Sequence, residues 1–285
     1  MTPRAAEGPG GAAMDPALRA FRDLVAASDV DLARAALAIA AIEHPDLRPA
    51  DHLARLDELA VRSGAAALLR PRARLDRLRA FLFAEEGFRG NADDYYDPRN
   101  SCLNDVLDRR LGIPITLALV TIEVGRRVGL ALDGVGLPGH FVVGARFGAD
   151  VLLLDAFGGG ELVDRGGAEA LAARAMGRAV RLRDAHFAPV SGRQIVARML
   201  RNLQGAYARR RAWGKTLAVV ERLLVVDGEA AAHVRDRGTA LVNLGRLQHG
   251  AAEWERYLRG VPNAADATRV REELRRVRQI LGERN

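Results

Sequence analysis

The chain has 285 residues, 49% hydrophobic and 28% charged, with a net charge of +7, which suits one large or two modest globular domains with a real core. No run of 18 apolar residues occurs, so no transmembrane helix is expected. The one cysteine, Cys102, rules out an internal disulfide and a cysteine-rich metal site, and fits a reducing cytoplasm.

Almost every basic residue is arginine, with Lys215 the only lysine, and the charge is uneven along the chain. Residues 192–285 hold 18 Arg and one Lys against 10 Asp and Glu, a net +9. A basic C-terminal third suits an acidic partner, nucleic acid or an anionic membrane surface. The plainer reading is a set of solvated helix faces.

Residues 1–14 are rich in Pro, Gly and Ala and lack the apolar stretch of a signal peptide. They read as a disordered leader, with Met14 an alternative start. Residues 15–88 read as a helical region. Asp15-Pro16 caps a helix carrying Phe21, Leu24 and Val25, and Asp29 or Asp31 starts a second over Leu32 to Ile42 that His44-Pro45 stops. A third runs through Leu53, Leu56 and Leu59. The last follows Pro71 and ends at Gly87. His44 and His52 are expected on the surface.

Residues 89–190 read as a mixed core. A polar loop, Gly90 to Asn100, leads to a short helix capped by Asn100 or Ser101, with Cys102 in its first turn. A thiol there has its pKa lowered by the helix N-terminus, unless it is simply a small buried residue. Gly112-Ile113-Pro114 precedes a helix over Thr116 to Val128 that is apolar nearly all round, with Glu123 in reach of Arg126 or Arg127. Strands are expected at about 132–137, 140–146 and 151–155, the last two forming a hairpin.

If Phe147 faces Asp150, then Val142 opposes Asp155, and His140 and Asp155 are diagonal neighbours on one face. A one-residue slip would break that relation. Gly158-Gly159-Gly160 is a turn and not a phosphate loop, because no Lys-Ser or Lys-Thr follows. No cofactor motif is present. A helix over 167–177 and an extended piece from Val180 to Arg183 follow, with His186 structural in the linker.

From Ser191 the texture becomes paired helices. Glu221-Arg222-Leu223-Leu224 recurs as Glu255-Arg256-Tyr257-Leu258, and Ala206-Tyr207 maps onto Ala240-Leu241. That offset of 34 is the tetratricopeptide period. Two repeats need support, so they should dock on the preceding domain and be capped by a last helix over 264–281. Trp213 and Trp254 read as packing residues.

Four motifs carry a family resemblance: Tyr95-Tyr96-Asp97-Pro98-Arg99-Asn100-Ser101, Gly112-Ile113-Pro114-Ile115-Thr116, Gly134-Val135-Gly136-Leu137-Pro138-Gly139-His140-Phe141 and Arg198-Met199-Leu200-Arg201-Asn202-Leu203. Together they resemble the bacterial SirB family over nearly all of residues 20–282. The resemblance implies an α+β fold: a helical N-terminal region, a transglutaminase-like, papain-type core with an antiparallel sheet at 89–190, and all-α repeats at 191–285. In that branch a cysteine opens the central helix, a histidine opens a strand and an aspartate on the next strand orients it. His140 and Asp155 match the last two. The nucleophile position falls at Pro114, which has none.

Three readings follow. In the first the protein is a pseudo-enzyme that binds a protein or peptide through its cleft and repeats. In the second, Cys102 acts with His140 and Asp155 as a hydrolase or acyltransferase on amides or thioesters, with the Thr116 hydroxyl a weaker substitute. The third is a basic adaptor for nucleic acid, against which no recognition motif is found and aromatics do not interleave with the basic runs. Oligomeric state is not legible.

Overall fold

The computed structural model describes residues 15–148 and 150–283; the leader expected at 1–14, Met14 included, lies outside them. The N-terminal region comprises α1 (Pro16–Ala26), α2 (Leu32–Ala40), α3 (Pro49–Ser63) and α4 (Pro71–Arg79), which runs on as a π-helical segment, Ala80–Glu85. Each start has a local cause. The Ala17 amide donates to Asp15 and the Arg34 amide to Asp31, so carboxylates cap α1 and α2. Pro49 and Pro71 open α3 and α4, where a missing N–H costs nothing. Phe21, Leu37, Leu56 and Leu75 are fully buried, each stabilising by about 2 kcal/mol.

The mixed core opens with a feature too short to carry a pattern, a parallel pair of β1 (Arg89–Gly90) and β2 (Leu111–Gly112). A 3-10 turn, Pro98–Ser101, precedes α5 (Leu103–Arg109). That turn consumes the residues expected as caps, so Cys102 is itself the N-cap residue of α5 and lies outside its first turn. The central helix α6 (Pro114–Arg127) begins two residues before Thr116, with proline at its first position. Thr116 holds that start in place: its Oγ1 accepts the Ile113 amide at 3.1 Å and donates to the Asn100 carbonyl at 2.7 Å. Helix α6 is buried from Pro114 to Gly125, and the buried Glu123 pairs with both Arg126 (3.0 Å) and Arg127 (2.6 Å).

The sheet is antiparallel in the order β3 (Leu132–Leu137), β4 (His140–Phe147), β5 (Asp150–Asp155), β6 (Glu161–Val163). Pro138 and Gly139 join β3 to β4, pairing Leu137 with His140. Proline followed by a glycine at φ 69° is the type II combination, and a side chain at position 139 would be strained. The β4–β5 register is the one expected, with Phe147 facing Asp150 and Val143 facing Leu154. Helix α6 covers one face through Phe141, Val143 and Leu154, and α7 (Arg165–Met176) covers the other through Ala168 and Ala172 against Val135, Val142 and Leu153. The piece expected to be extended at Val180–Arg183 forms no strand. The Leu182 amide donates to the Glu169 carboxylate at 2.9 Å instead of a ladder partner.

Five helices complete the chain: α8 (Gly192–Arg209), α9 (Trp213–Asp227), α10 (Ala231–Asn243), α11 (Leu247–Gly260) and α12 (Ala267–Glu283). The 34-residue period holds atom for atom at the turns. Arg211 N donates to Ala208 O and Ala212 N to Tyr207 O; Gly245 N to Val242 O and Arg246 N to Leu241 O repeat both bonds one period on. The first helices of this array join the main core through Leu203, Tyr207 and Leu223. Trp254 is buried between α10, α11 and α12, in a second core.

His44 keeps a side chain that is 37% exposed, but it gains a partner that the sequence did not show. Because α5 packs on α2, its Nε2 lies 2.7 Å from Asp105 Oδ2, and His52 is half-buried on α3. In the linker, His186 Nδ1 accepts the Arg183 amide at 2.8 Å. Among the described residues no helix is long and apolar enough to cross a membrane.

Candidate active site

The type II turn at Pro138-Gly139 starts β4 at His140, and the hairpin register carries β5 to its end at Asp155. Their side chains project to the α7 side of the sheet, sharing a face with Val142 and Leu153. His140 Nε2 lies 2.9 Å from Asp155 Oδ1, and the same oxygen accepts the Phe157 amide at 3.1 Å. Both residues are buried, at 7% and 3% exposure. With Nε2 donating to the carboxylate, a neutral imidazole keeps its lone pair on Nδ1 and has the form of a general base.

Behind the histidine, Arg198 of α8 donates to the backbone carbonyls of His140 (2.6 Å) and Leu137 (3.3 Å) and stacks on Phe141. This arginine locks the strand start against the first repeat helix. Gly158 follows closely because a side chain there would stand 2.6 Å from Asp155 Oδ2.

The pair opens onto a cleft of about 650 Å3 that is also lined by Pro114, Tyr95, Tyr96, Arg174 and Asn202. Three segments distant in the chain therefore meet there: the loop before α5, the end of α7 and the middle of α8. Rings line one wall edge to face, Tyr95 against Tyr96 at 5.4 Å and Phe157 against both Tyr95 and His140 at 6.1 Å. Burial pushes the Tyr95 phenol above its ordinary pKa.

Pro114 stands at the N-terminus of α6 in this cleft and offers neither thiol nor hydroxyl. The Thr116 hydroxyl is fully buried and directed at the Asn100 carbonyl. Cys102 is also fully buried and is not among the residues lining the cleft. Burial, aided by the nearby Asp105, Glu43 and Asp97 carboxylates, raises its thiol pKa far above the ordinary value. The helix N-terminus was expected to lower it. Desolvation wins because the residue sits in the core, where a thiolate has no solvent to stabilise it.

Sequence reasoning passed over Tyr95, Tyr96, Phe157, Arg174 and Asn202 as cleft residues. The tyrosine pair stood in a quoted motif, but nothing local indicated which way it faced. Asn202 also stood in a quoted motif and Arg174 in none, but neither showed that the two would meet, because that depends on how α7 and α8 pack. Among the described residues no group of three or more His, Cys, Asp or Glu is placed to hold a metal ion.

Comparison with known proteins agrees with this arrangement. Residues 50–201 match the family described as the transglutaminase-like superfamily, and residues 203–275 match the tetratricopeptide repeat. A UPF0162 protein of Xylella fastidiosa (strain Temecula1) is 39% identical over 201 residues, covering 67% of this chain and 69% of that protein. Another, from Vibrio cholerae, is 28% identical over 215 residues, covering 74% and 78%. F-box only protein 21 of Mus musculus is 37% identical over 95 residues, 30% of this chain and 15% of that protein. No solved structure matches.

Proposed function

Because the chain belongs to the transglutaminase-like superfamily, and within it to the UPF0162 family, we propose that it is a catalytically inactive member of SirB type that acts as a protein-binding scaffold. The observation that carries this is Pro114 at the first position of α6, in the cleft that holds His140 and Asp155. A proline there leaves the base without a nucleophile to activate. The His140–Asp155 pair then serves to hold the end of the β4–β5 hairpin, and the cleft and the repeats supply surface for a partner protein. With a single, buried cysteine, the cytoplasm is the compartment we propose.

The competing reading makes Cys102, His140 and Asp155 a hydrolase triad. Alkylation of native protein by iodoacetamide near pH 7, followed by mass spectrometry, separates the two. The scaffold reading expects Cys102 to label only as fast as the protein opens, and no more slowly in His140→Ala than in wild type. Rapid labelling that His140→Ala slows would replace it with the hydrolase.

A further inference from the structure

The charge of the cleft is one-sided. Among the described residues Asp155 is the only carboxylate that lines it, and that group is engaged by His140 and the Phe157 amide. Arg174 is exposed at the α7 end. At the other end the cleft continues into a second hollow of about 150 Å3, which shares Tyr95, Tyr96 and Asn202 with it and adds Arg201 and Arg209. Arg201 is tied to Asp227 at 2.9 Å. Arg209 lies over the Tyr96 ring at 4.0 Å, and among the described residues neither it nor Arg174 forms an ion pair. Two exposed tyrosines set among unpaired arginines are the composition of a binding hot spot and not of an ordinary solvated face.

We infer that this continuous cleft takes an extended acidic peptide segment, whose carboxylates are held by Arg174 at one end and Arg209 at the other. The inference rests on the scaffold reading above and names its occupant. Asn202 and Arg209 are two turns apart on α8, roughly 10 Å at 1.5 Å per residue. An extended chain covers that span in about three residues, so a short segment that reaches Arg209 runs on past Asn202, which lines both hollows, into the larger one that Arg174 lines. Rings along the wall cover the peptide's apolar side chains. Single-stranded nucleic acid fits less well: base stacking needs a free aromatic face, but Arg209 already covers Tyr96, and Tyr95 is packed edge to face against its neighbours.

The test is fluorescence anisotropy on the full chain with a labelled peptide of about ten residues alternating glutamate and alanine, its glutamine counterpart, and an oligothymidylate of similar length. The glutamate peptide is expected to bind saturably and the glutamine peptide at least tenfold more weakly, with affinity falling as salt rises. Arg174→Gln and Arg209→Gln should each weaken binding about fivefold. Arg276→Gln, on the exposed side of α12, should change it less than twofold, with all three variants melting like wild type.

No saturable binding up to about 1 mM, an Arg276→Gln effect as large as the others, or tighter binding of the oligothymidylate would overturn the inference. Absence of peptide binding alongside an inert Cys102 removes the acidic occupant and leaves the scaffold reading standing. Cleavage of the bound peptide, read by mass spectrometry, removes the scaffold reading and leaves the cleft's charge preference intact.

Discussion

His140 Nε2 and Asp155 Oδ1 meet at 2.9 Å although 15 residues separate them. Strand geometry alone brings this about. With Phe147 paired to Asp150, a period of two sends both side chains to one face at neighbouring levels. The bond is buried, so it is worth more to the hairpin than a surface pair would be.

Removing the carboxylate should therefore cost stability whether or not any chemistry occurs. Asp155→Ala leaves the imidazole and the Phe157 amide without an acceptor, a loss of about 2–3 kcal/mol. Asp155→Asn keeps an acceptor oxygen for both and should lose about 1 kcal/mol. Urea unfolding monitored by circular dichroism reads both values. An alanine variant within about 0.5 kcal/mol of wild type would show that the bond does not hold the hairpin.

Restoring a thiol tests the shape of the site directly. In a Cys102→Ala background, Pro114→Cys places sulfur at the first position of α6, in the cleft that His140 also lines and at the positive end of the helix. Iodoacetamide should label it at least tenfold faster than it labels the native Cys102, and His140→Ala should remove most of the gain. Labelling indifferent to His140 would mean that the imidazole does not face the helix start.

Glu43 joins the N-terminal helices to the repeats, accepting the Tyr207 hydroxyl at 2.6 Å and the Lys215 ammonium at 2.8 Å. Burial pushes its carboxyl pKa up, but these two donors outweigh burial and hold it below the ordinary value. A depressed native pKa stabilises above the unfolded value, about 4.3, and the gain is lost as pH falls through the native one. Glu43→Gln should thus be about 1 kcal/mol less stable near pH 7. The gap should close toward pH 3. Urea midpoints at the two pH values check this, and a gap unchanged by acid would contradict it.

The repeat turns provide a backbone test. Arg211 and Gly245 occupy equivalent positions one period apart, with φ of 54° and 76°. A left-handed conformation costs a non-glycine residue roughly 1 kcal/mol. Arg211→Gly is expected to raise the melting temperature slightly, by up to about 1 kcal/mol of stability, and Gly245→Ala to lower it by a similar amount. Opposite signs would mean that the arginine side chain, not the backbone, decides the first turn.

Much of this molecule is legible in short windows of its sequence. Asp15, Asp31, Pro49 and Pro71 mark helix starts because capping and proline preferences act over one turn. The turn that pairs Phe147 with Asp150, together with the strand period of two, set the register that joins His140 to Asp155. The two-residue strands and β6 were too short to show any period. The partner of His44 was missed for another reason: Asp105 lies 61 residues away on a helix whose docking no local pattern records.

Cys102 marks the boundary most clearly. Its sequence position left two states open, a thiolate favoured by the helix N-terminus, whose dipole acts within a turn and can be read locally, and a small buried residue. Its actual state was decided by the packing around it, which removed solvent and left Asp105 and Glu43 nearby. The cleft has the same origin, for Tyr95, Arg174 and Asn202 come from three elements that only packing brings together. The sequence by itself determined what periodicity, caps and turns control: the helices, the sheet register, the 34-residue repeat and the proline at the head of α6. Tertiary structure alone decided desolvation and convergence, because both depend on which distant surfaces exclude water from a side chain.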